Sequence, residues 1–319
     1  ALTGCGGDDI MTQMNHNGPD GLEVDSFLRL AHLTFKVPVT VFTMLPCLLF
    51  LYVNGVMLLA VLRKPVFQES SRYILFGHLL LTESLQLLVS VLLFIMAVAA
   101  VRMISYACVL LTLFATVTVK MSPLNLAVMS LERYVAICFP LRHADIATTR
   151  RTGVAIAVMW TAASLDAFTQ LLIFVRLENT SSTVPRYCSR QNVFQLQISV
   201  TLYKVFNILY FVIVSIIIIY TYIAIMITVK SASASVREGS KAHKTVLLHL
   251  FQLGLCLVST MFSMMNSGQL VGVLFVVLII LPKCLSPLIY GLRDQTFRHV
   301  FIYYFTFGFK VTNKAFPKS

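Results

Sequence analysis

The chain has 319 residues, of which 58% are hydrophobic and only 12% are charged, and its formal net charge at pH 7 is +12. The charged side chains are too few to cover the surface of a globular protein of this length. Most of the outer surface of the protein must therefore face lipid. This composition excludes an ordinary soluble domain, and in a membrane protein the positive charge is an orientation signal rather than a sign of nucleic-acid binding. Seven cysteines without CxxC spacing indicate neither a zinc or other metal site nor a dense disulfide framework.

The N-terminal residues 1–36 are polar and acidic, and they contain no basic segment followed by an apolar core. We therefore expect no cleavable signal peptide and interpret this segment as an extracellular tail. Seven apolar stretches follow, each long enough to span a hydrocarbon core of about 30 Å at a helical rise of about 1.5 Å per residue. The stretches are Val37–Leu62, Tyr73–Ala100, Ile104–Ile137, Gly153–Val175, Ile198–Val229, Thr245–Asn266 and Gly268–Tyr290.

Lysine and arginine are unevenly divided between the two ends of these stretches. One side carries Arg63, Lys64, Arg72, Arg142, Arg150, Arg151, Lys230, Arg237, Lys241, Lys244, Arg293, Arg298, Lys310, Lys314 and Lys318. The other side carries Arg29, Lys36, Arg102, Arg176, Arg186 and Arg190. The richer side is cytoplasmic by the positive-inside rule. The sequence therefore predicts an all-α membrane protein, a seven-helix transmembrane bundle over residues 37–290 with its N-terminus outside.

Residues 291–319 follow the last apolar stretch on the cytoplasmic side. Aromatic residues at Phe297, Phe301 and Phe305 alternate there with Arg293 and Arg298. This mixture is typical of an amphipathic helix that lies in the inner membrane interface. We expect a short interfacial helix in contact with lipid, followed by a tail.

The stretch Met129–His143, which reads MSLERYVAICFPLRH, turns a buried apolar helix abruptly into a basic, polar loop. Glu132, Arg133 and Tyr134 lie at this turn. Arginine keeps its charge at any accessible pH, so a neighbouring carboxylate at the inner end of a membrane helix can hold it or release it. The stretch resembles the inner end of the third helix in rhodopsin-type G-protein-coupled receptors. The run LERYVAICFPLRHA is most similar to the odorant receptors, particularly those of fishes.

Two further features support the same resemblance. The run Ser286–Tyr290, SPLIY, resembles the family's NPxxY motif with serine in place of asparagine. A proline removes a backbone hydrogen bond, so Pro287 is expected to bend the helix and to provide a hinge for Tyr290. Trp160 matches the family's tryptophan in the fourth helix, where its expected role is packing.

The resemblance implies a receptor in the plasma membrane that is not an enzyme and carries no cofactor. A small-molecule odorant would enter from outside, shift a two-state helix bundle and open an inner cleft for a heterotrimeric G protein of the stimulatory type, which raises cAMP. Arg133 would then leave Glu132 for Tyr222 or Tyr290 as the sixth helix moves outward. The apolar contact with the G protein would come from Phe139, Pro140 and Leu141.

Two features belong to the outer loops. Cys108 opens the third helix and Cys188 lies in the second outer loop, and both meet an oxidising compartment. The resemblance implies a disulfide between them, which would tether this loop over the bundle. In the same loop, the tripeptide NTS at Asn179 is a glycosylation acceptor on the extracellular side.

Ionisable residues inside the membrane are costly, and each is a functional candidate. At the helical rise, Glu83 and Lys283 both lie about 15 to 17 Å above the inner boundary, and Asn54 lies within a few ångströms of that depth. The receptor family usually carries an aspartate, an asparagine and a sodium ion in this layer, so a salt bridge between Glu83 and Lys283 would replace the ion. Such a pair is either purely structural or part of the switch. Ser286 completes this polar layer.

Lys120 and Asp166 form a second intramembrane set. Their depths above the inner boundary are about 20 Å and about 22 Å, so the two residues can form a structural pair. Alternatively, Lys120 anchors an anionic odorant in a cavity between helices three, five and six, where Thr116 and Ala115 lie one turn outward. The two interpretations are compatible because an ammonium group has three donors. Lys204, near the outer end of the fifth helix, is a second candidate contact for an anion.

Other functions compete with the odorant receptor. A transporter or channel would use Glu83 and Lys283 as a relay, but no repeat relates the two halves of the chain. A retinal photoreceptor needs its Schiff-base lysine seven residues before the proline of the seventh helix, where this chain has Ile280. A non-olfactory receptor of the same class is disfavoured because the sixth helix lacks a tryptophan and the fifth lacks a proline. An intramembrane protease is disfavoured by the absence of a GxS nucleophile motif with a partner histidine.

Overall fold

A computed structural model of the protein describes residues 41, 44–63, 67, 69–99, 101–178, 186–188, 190–231, 251 and 254. In the described ranges, five helices are long and apolar enough to cross a membrane. They are α1 (Met44–Arg63), α2 (Ser71–Val98), α3 (Ser105–Cys138), α4 (Thr149–Ile173) and α5 (Gln197–Ser231). The sixth and seventh predicted stretches and the interfacial helix lie outside the described residues.

Helices α2 to α5 follow the second to fifth apolar stretches closely, and the largest shift among these four is at the start of α4. The apolar stretch begins at Gly153, whereas α4 begins at Thr149. The cause is a helix cap, because the Thr148 hydroxyl accepts a hydrogen bond from the backbone N–H of Arg151 at 3.4 Å. The cap makes the polar turn before the apolar stretch helical. At its other end, α4 continues into a π-helical turn, Phe174–Glu178.

The loops contain short helices and strands that the amino-acid composition did not predict. On the side expected to be extracellular, strand β1 (Arg102–Met103) pairs antiparallel with strand β2 (Arg186–Tyr187). A one-turn helix, Arg190–Val193, follows β2. At the opposite end, a 3-10 turn over Pro140–Arg142 and a one-turn helix, His143–Ile146, connect α3 to α4.

The core is formed where α1 to α4 meet. Met57, Leu79, Met121 and Ala163 come from these four helices in turn, and all four are fully buried. Large apolar side chains such as those of Leu110, Phe168 and Ile216 instead point outward and are more than half exposed. An apolar outer face is what lipid requires, because helices in the hydrocarbon region satisfy their backbone polar groups internally.

Helix α3 continues through Pro123, a residue that cannot donate a hydrogen bond to the carbonyl one turn before it. Polar side chains bind two backbone carbonyls in the turn just before this point. The Tyr210 hydroxyl donates to the Lys120 carbonyl, and the Asn125 amide donates to the Met121 carbonyl at 2.9 Å. Such contacts satisfy backbone groups next to a proline inside a membrane helix.

His78 joins three helices through a chain of hydrogen bonds. The indole N–H of Trp160 on α4 donates to His78 Nε2 at 3.0 Å, and His78 Nδ1 lies 2.8 Å from the side-chain oxygen Oδ1 of Asn125 on α3. An indole only donates, so Nε2 accepts and Nδ1 carries the hydrogen, which makes the imidazole neutral. Trp160 therefore does more than the packing expected from the sequence.

We expect His78→Phe to lower the stability of the receptor by about 1 to 2 kcal/mol, because it leaves the Trp160 N–H and the Asn125 oxygen without their shared partner. The measurement is the melting temperature of the purified receptor in detergent. Thr161→Val is a matched control, since the Thr161 hydroxyl is exposed and bonds only to a carbonyl of its own helix. Equal melting of the two variants would contradict a linking role for His78.

Candidate functional site

The disulfide expected between Cys108 and Cys188 is present, with 5.4 Å between the two Cα atoms. Cys108 lies in the first turn of α3 and is buried. Cys188 directly follows β2, so the disulfide and the β1–β2 pairing act on the same segment of the loop. The loop is thereby fastened to the outer end of α3.

Lys120 and Asp166 lie in direct contact. The Lys120 ammonium nitrogen is 2.6 Å from Asp166 Oδ2, and the two side chains are only 6% and 2% exposed. The ammonium also lies 5.9 Å from the centroid of the Tyr210 ring on α5, within the range of a cation–π contact. This ion pair connects α3 with α4, as the matched depths in the sequence suggested.

The other residues proposed to contact a ligand differ in their burial and in their hydrogen bonds. The Thr116 hydroxyl, one turn outward from Lys120, donates to the Thr112 carbonyl at 2.9 Å and accepts from Arg190 Nη1 at 3.4 Å. Ala115 is half-buried beside it, whereas Lys204 is exposed. A ligand contact by any of them stays a prediction.

Sequence reasoning missed Arg190, which it used only as a charge for the orientation. Its guanidinium carbon lies 3.3 Å from the centroid of the Tyr203 ring and 5.2 Å from that of Phe194. Burial lowers the pKa of Arg190 from its ordinary value, while Tyr203 and Asp166 act in the opposite direction, and arginine stays protonated at any accessible pH. The one available signal was its position two residues after Cys188, which the disulfide holds at the bundle.

At the inner end of α3, Glu132 has two basic partners. Arg133 Nε lies 3.6 Å from one carboxylate oxygen, and His143 Nε2 lies 3.3 Å from the other. His143 belongs to the one-turn helix after α3 and was not among the candidate residues. Because a carboxylate only accepts, the His143 contact requires a hydrogen on Nε2.

The neighbouring aromatic residues form a small cluster. The Tyr134 ring lies 5.7 Å from Phe139 and 5.9 Å from Tyr220, measured between ring centroids. Tyr222, the expected new partner of Arg133, is half-buried two residues further along α5. Pro140 and Leu141 follow Phe139 in an exposed turn, and Leu141 is 96% exposed.

The proposed intramembrane polar layer is described only in part. Asn54 and Glu83 are buried, at 0% and 1% exposure. The amide of Asn54 has no hydrogen-bond partner within the described ranges. The remaining predicted residues of the layer, of the seventh-helix motif and of the glycosylation site lie outside the described residues: Lys283, Ser286, Pro287, Tyr290 and Asn179. The pairing of Glu83 with Lys283 stays a prediction.

Comparison with known proteins identifies the class of this molecule. The model of the 7 transmembrane receptor (rhodopsin family) matches residues 53–290. The chain therefore belongs to the rhodopsin family of seven-transmembrane receptors.

Individual relatives show which receptors of this family the chain resembles. The chain is 33% identical to Odorant receptor 131-2 of Danio rerio over 281 residues, which cover 83% of this chain and 85% of that protein. It is 30% identical to Olfactory receptor 51E1 of Homo sapiens over 220 residues, which cover 61% of this chain and 65% of that protein. These relatives confirm the resemblance to odorant receptors, including one from a fish. The protein is accordingly a multi-pass plasma-membrane receptor and not an enzyme.

Removal of one member of the Lys120–Asp166 pair leaves the other charge buried, at a cost of roughly 3 to 5 kcal/mol. We expect Lys120→Gln and Asp166→Asn each to lower the cell-surface level and the melting temperature. The double change should lose less than the sum of the two single changes. Arg176→Gln, which changes an exposed arginine in the π-helical turn after α4, is the control and should behave as the parent. Additive losses would show that the two groups do not interact.

Proposed function

We propose that the protein is a chemosensory receptor that binds a small-molecule odorant from outside and activates a heterotrimeric G protein of the stimulatory type, raising cAMP. The observation that carries this proposal is the contact between Arg133 and Glu132 at the inner end of α3, beside an exposed loop. Relatives named as odorant receptors supply the kind of ligand. A transporter or channel finds no support among these relatives.

The proposal includes a membrane topology. Residues 1–36 form an extracellular tail, residues 37–290 form seven transmembrane helices, and residues 291–319 form a cytoplasmic amphipathic helix and tail. The five described membrane helices and the family match over residues 53–290 support this division. The excess of Lys and Arg on one side supports an extracellular N-terminus.

The inner end of α3 supplies the switch in this proposal. Glu132 forms a salt bridge with Arg133 and accepts a hydrogen bond from His143, so one carboxylate holds both the helix end and the following loop. The Arg133–Glu132 contact is 3.6 Å long and its side chains are 16% and 10% exposed. A contact of this length and partial exposure has a modest free energy, and a change in the bundle can exchange it. Tyr222 and Tyr290 are the proposed new partners of Arg133.

The G protein would dock on the turn after α3. Leu141 exposes almost its whole side chain, and Phe139 is 46% exposed beside Pro140. Large apolar side chains that project into solvent from a short turn suit the apolar centre of a protein interface. Tyr134 packs on Phe139 and so couples this turn to α3.

The odorant would bind along the outer half of α3, near Thr116, Ala115 and Lys120. The Lys120 ammonium has three donors, and its bond to Asp166 uses one of them. A ligand can therefore approach Lys120 without breaking the ion pair. Loss of the response to an acidic odorant in Lys120→Gln, with a milder effect of Asp166→Asn, would identify this contact when both variants are compared with the parent at matched surface levels.

Arg133→Ala should abolish or reduce the cAMP response by about tenfold or more, while the receptor still reaches the cell surface. The physical reason is that alanine cannot form the charged contacts proposed for the active state. The assay is odorant-evoked cAMP in cells with matched surface levels. Arg150→Ala removes an exposed arginine at the start of α4 and serves as the control. A normal response of Arg133→Ala would refute the switch role.

Asn179 tests the topology, because it lies in the chain's one NxS/T sequence, where x is not proline. If the second outer loop is extracellular, N-glycosidase treatment should lower the apparent mass of the receptor from cells. Asn179→Gln should remove that shift. A shift that persists in Asn179→Gln would show that the carbohydrate is attached elsewhere.

A further inference from the structure

Arg190 is a loop residue that is built into the outer end of the bundle. It follows the disulfide-bonded Cys188 by two residues, so the loop cannot carry it far from α3. Its guanidinium donates to Thr116 on α3 and stacks on the Tyr203 ring of α5 at 3.3 Å. The ring centroid of the loop residue Phe194 lies 5.2 Å from the guanidinium carbon. These contacts on two helices and a loop set the position of the charge.

The charges around this position do not cancel. Thr116 and Lys120 are one helical turn apart on α3, so residues bonded to them are neighbours on one helix face. Lys120 and Arg190 contribute two positive charges, and Asp166, which is bonded to Lys120, contributes one negative charge. The sum is +1. Within the described part of the chain, no carboxylate forms a salt bridge with Arg190.

One hydrogen-bond donor of Arg190 is also without an acceptor in the described ranges. Arg190 Nη2 is shielded from solvent and has no hydrogen-bond partner within the described ranges, whereas Nη1 bonds to Thr116. A buried donor of a charged group without an acceptor is unfavourable. The cluster therefore carries one excess positive charge and one unused donor on Arg190, while Asp166 Oδ1, a buried acceptor without a partner in the described ranges, belongs to the carboxylate already counted. A single anionic oxygen neutralises this charge and accepts from this donor.

We propose that Arg190 recognises the ligand of this receptor and that the ligand is a small monocarboxylate. The proposal rests on the receptor function proposed above. A carboxylate oxygen accepts from Nη2, and its single charge neutralises the cluster. A dianion would leave a net charge of −1, and a neutral ligand would leave +1. Phe194 and Tyr210 present aromatic rings nearby, which suit an apolar body attached to the carboxylate.

Thermal stability of the purified full-length receptor tests the site without any signalling step. The probes are hexanoate, phenylacetate and benzoate, each compared with its primary amide, which has a similar shape but no charge. We expect at least one carboxylate to raise the melting temperature, because a ligand that binds only the folded state stabilises it. The matching amide should have no effect. If none of the carboxylates stabilises the receptor, the proposal is overturned.

Arg190→Gln should raise the carboxylate concentration needed for half of the maximal stabilisation by at least about tenfold. Arg176→Gln, which removes another outer arginine that is exposed, should keep the parent response. Arg190→Lys keeps the charge but not the planar fork, so it should weaken the response less than Arg190→Gln. If Arg190→Gln fails to fold, a wild-type response of Arg190→Lys overturns the proposal.

The melting temperatures of the variants without ligand show whether Arg190 recognises the ligand or only supports the loop. Arg190→Gln removes the excess charge, so its melting temperature without ligand should equal or exceed that of the parent. A lower melting temperature together with an unchanged carboxylate response would mean that Arg190 only supports the loop. That result would overturn the proposal.

A cAMP assay with the same probes distinguishes this site from the function on which it rests. Carboxylates that stabilise the receptor through Arg190 but never raise cAMP would refute the signalling proposal and leave the site intact. Amides that raise cAMP equally in the parent and in Arg190→Gln would refute the site and leave signalling intact.

Discussion

A lysine at mid-depth in a membrane helix loses its hydration, so α3 depends on the ion pair between Lys120 and Asp166. The pair brings α3 and α4 together and holds two charged side chains in a buried position. Tyr210 extends the same cluster to α5, since its hydroxyl binds the Lys120 backbone carbonyl and its ring faces the ammonium. Three helices therefore meet at one charged residue, just before the proline of α3.

The position of the second outer loop depends in turn on where α3 is held. The disulfide to Cys108 and the pairing of β1 with β2 bring the loop to the outer end of α3. Arg190 then contacts Thr116, which lies one turn from Lys120 on the same helix. An odorant that alters the charge balance near Lys120 would act on α3 and on the loop together. This connection gives the outer surface a physical link to the helix that carries Arg133 at its inner end.

The inner end of α3 is organised by one carboxylate rather than by a single pair. Glu132 holds Arg133 within its own helix and His143 in the following turn, so a movement that frees Arg133 also loosens the loop that exposes Leu141. The neutral His78 performs the corresponding task inside the membrane, where it joins α2 to α3 and α4. Both histidines connect neighbouring elements through their two-sided or charged contacts.

Hydrophobic length was sufficient to predict the second to fifth membrane helices to within a few residues, because lipid imposes a minimum apolar length on each helix. The motif around Arg133 was sufficient for the family, and the matched depths of Lys120 and Asp166 were sufficient for their pairing. The roles of His78, His143 and Arg190 were not predictable. Arg190 and Thr116 are 74 residues apart, and Trp160 and His78 are 82 residues apart. No local pattern marks such contacts, since they depend on how helices rotate against one another and on where the disulfide holds the loop, and only the tertiary structure decides both.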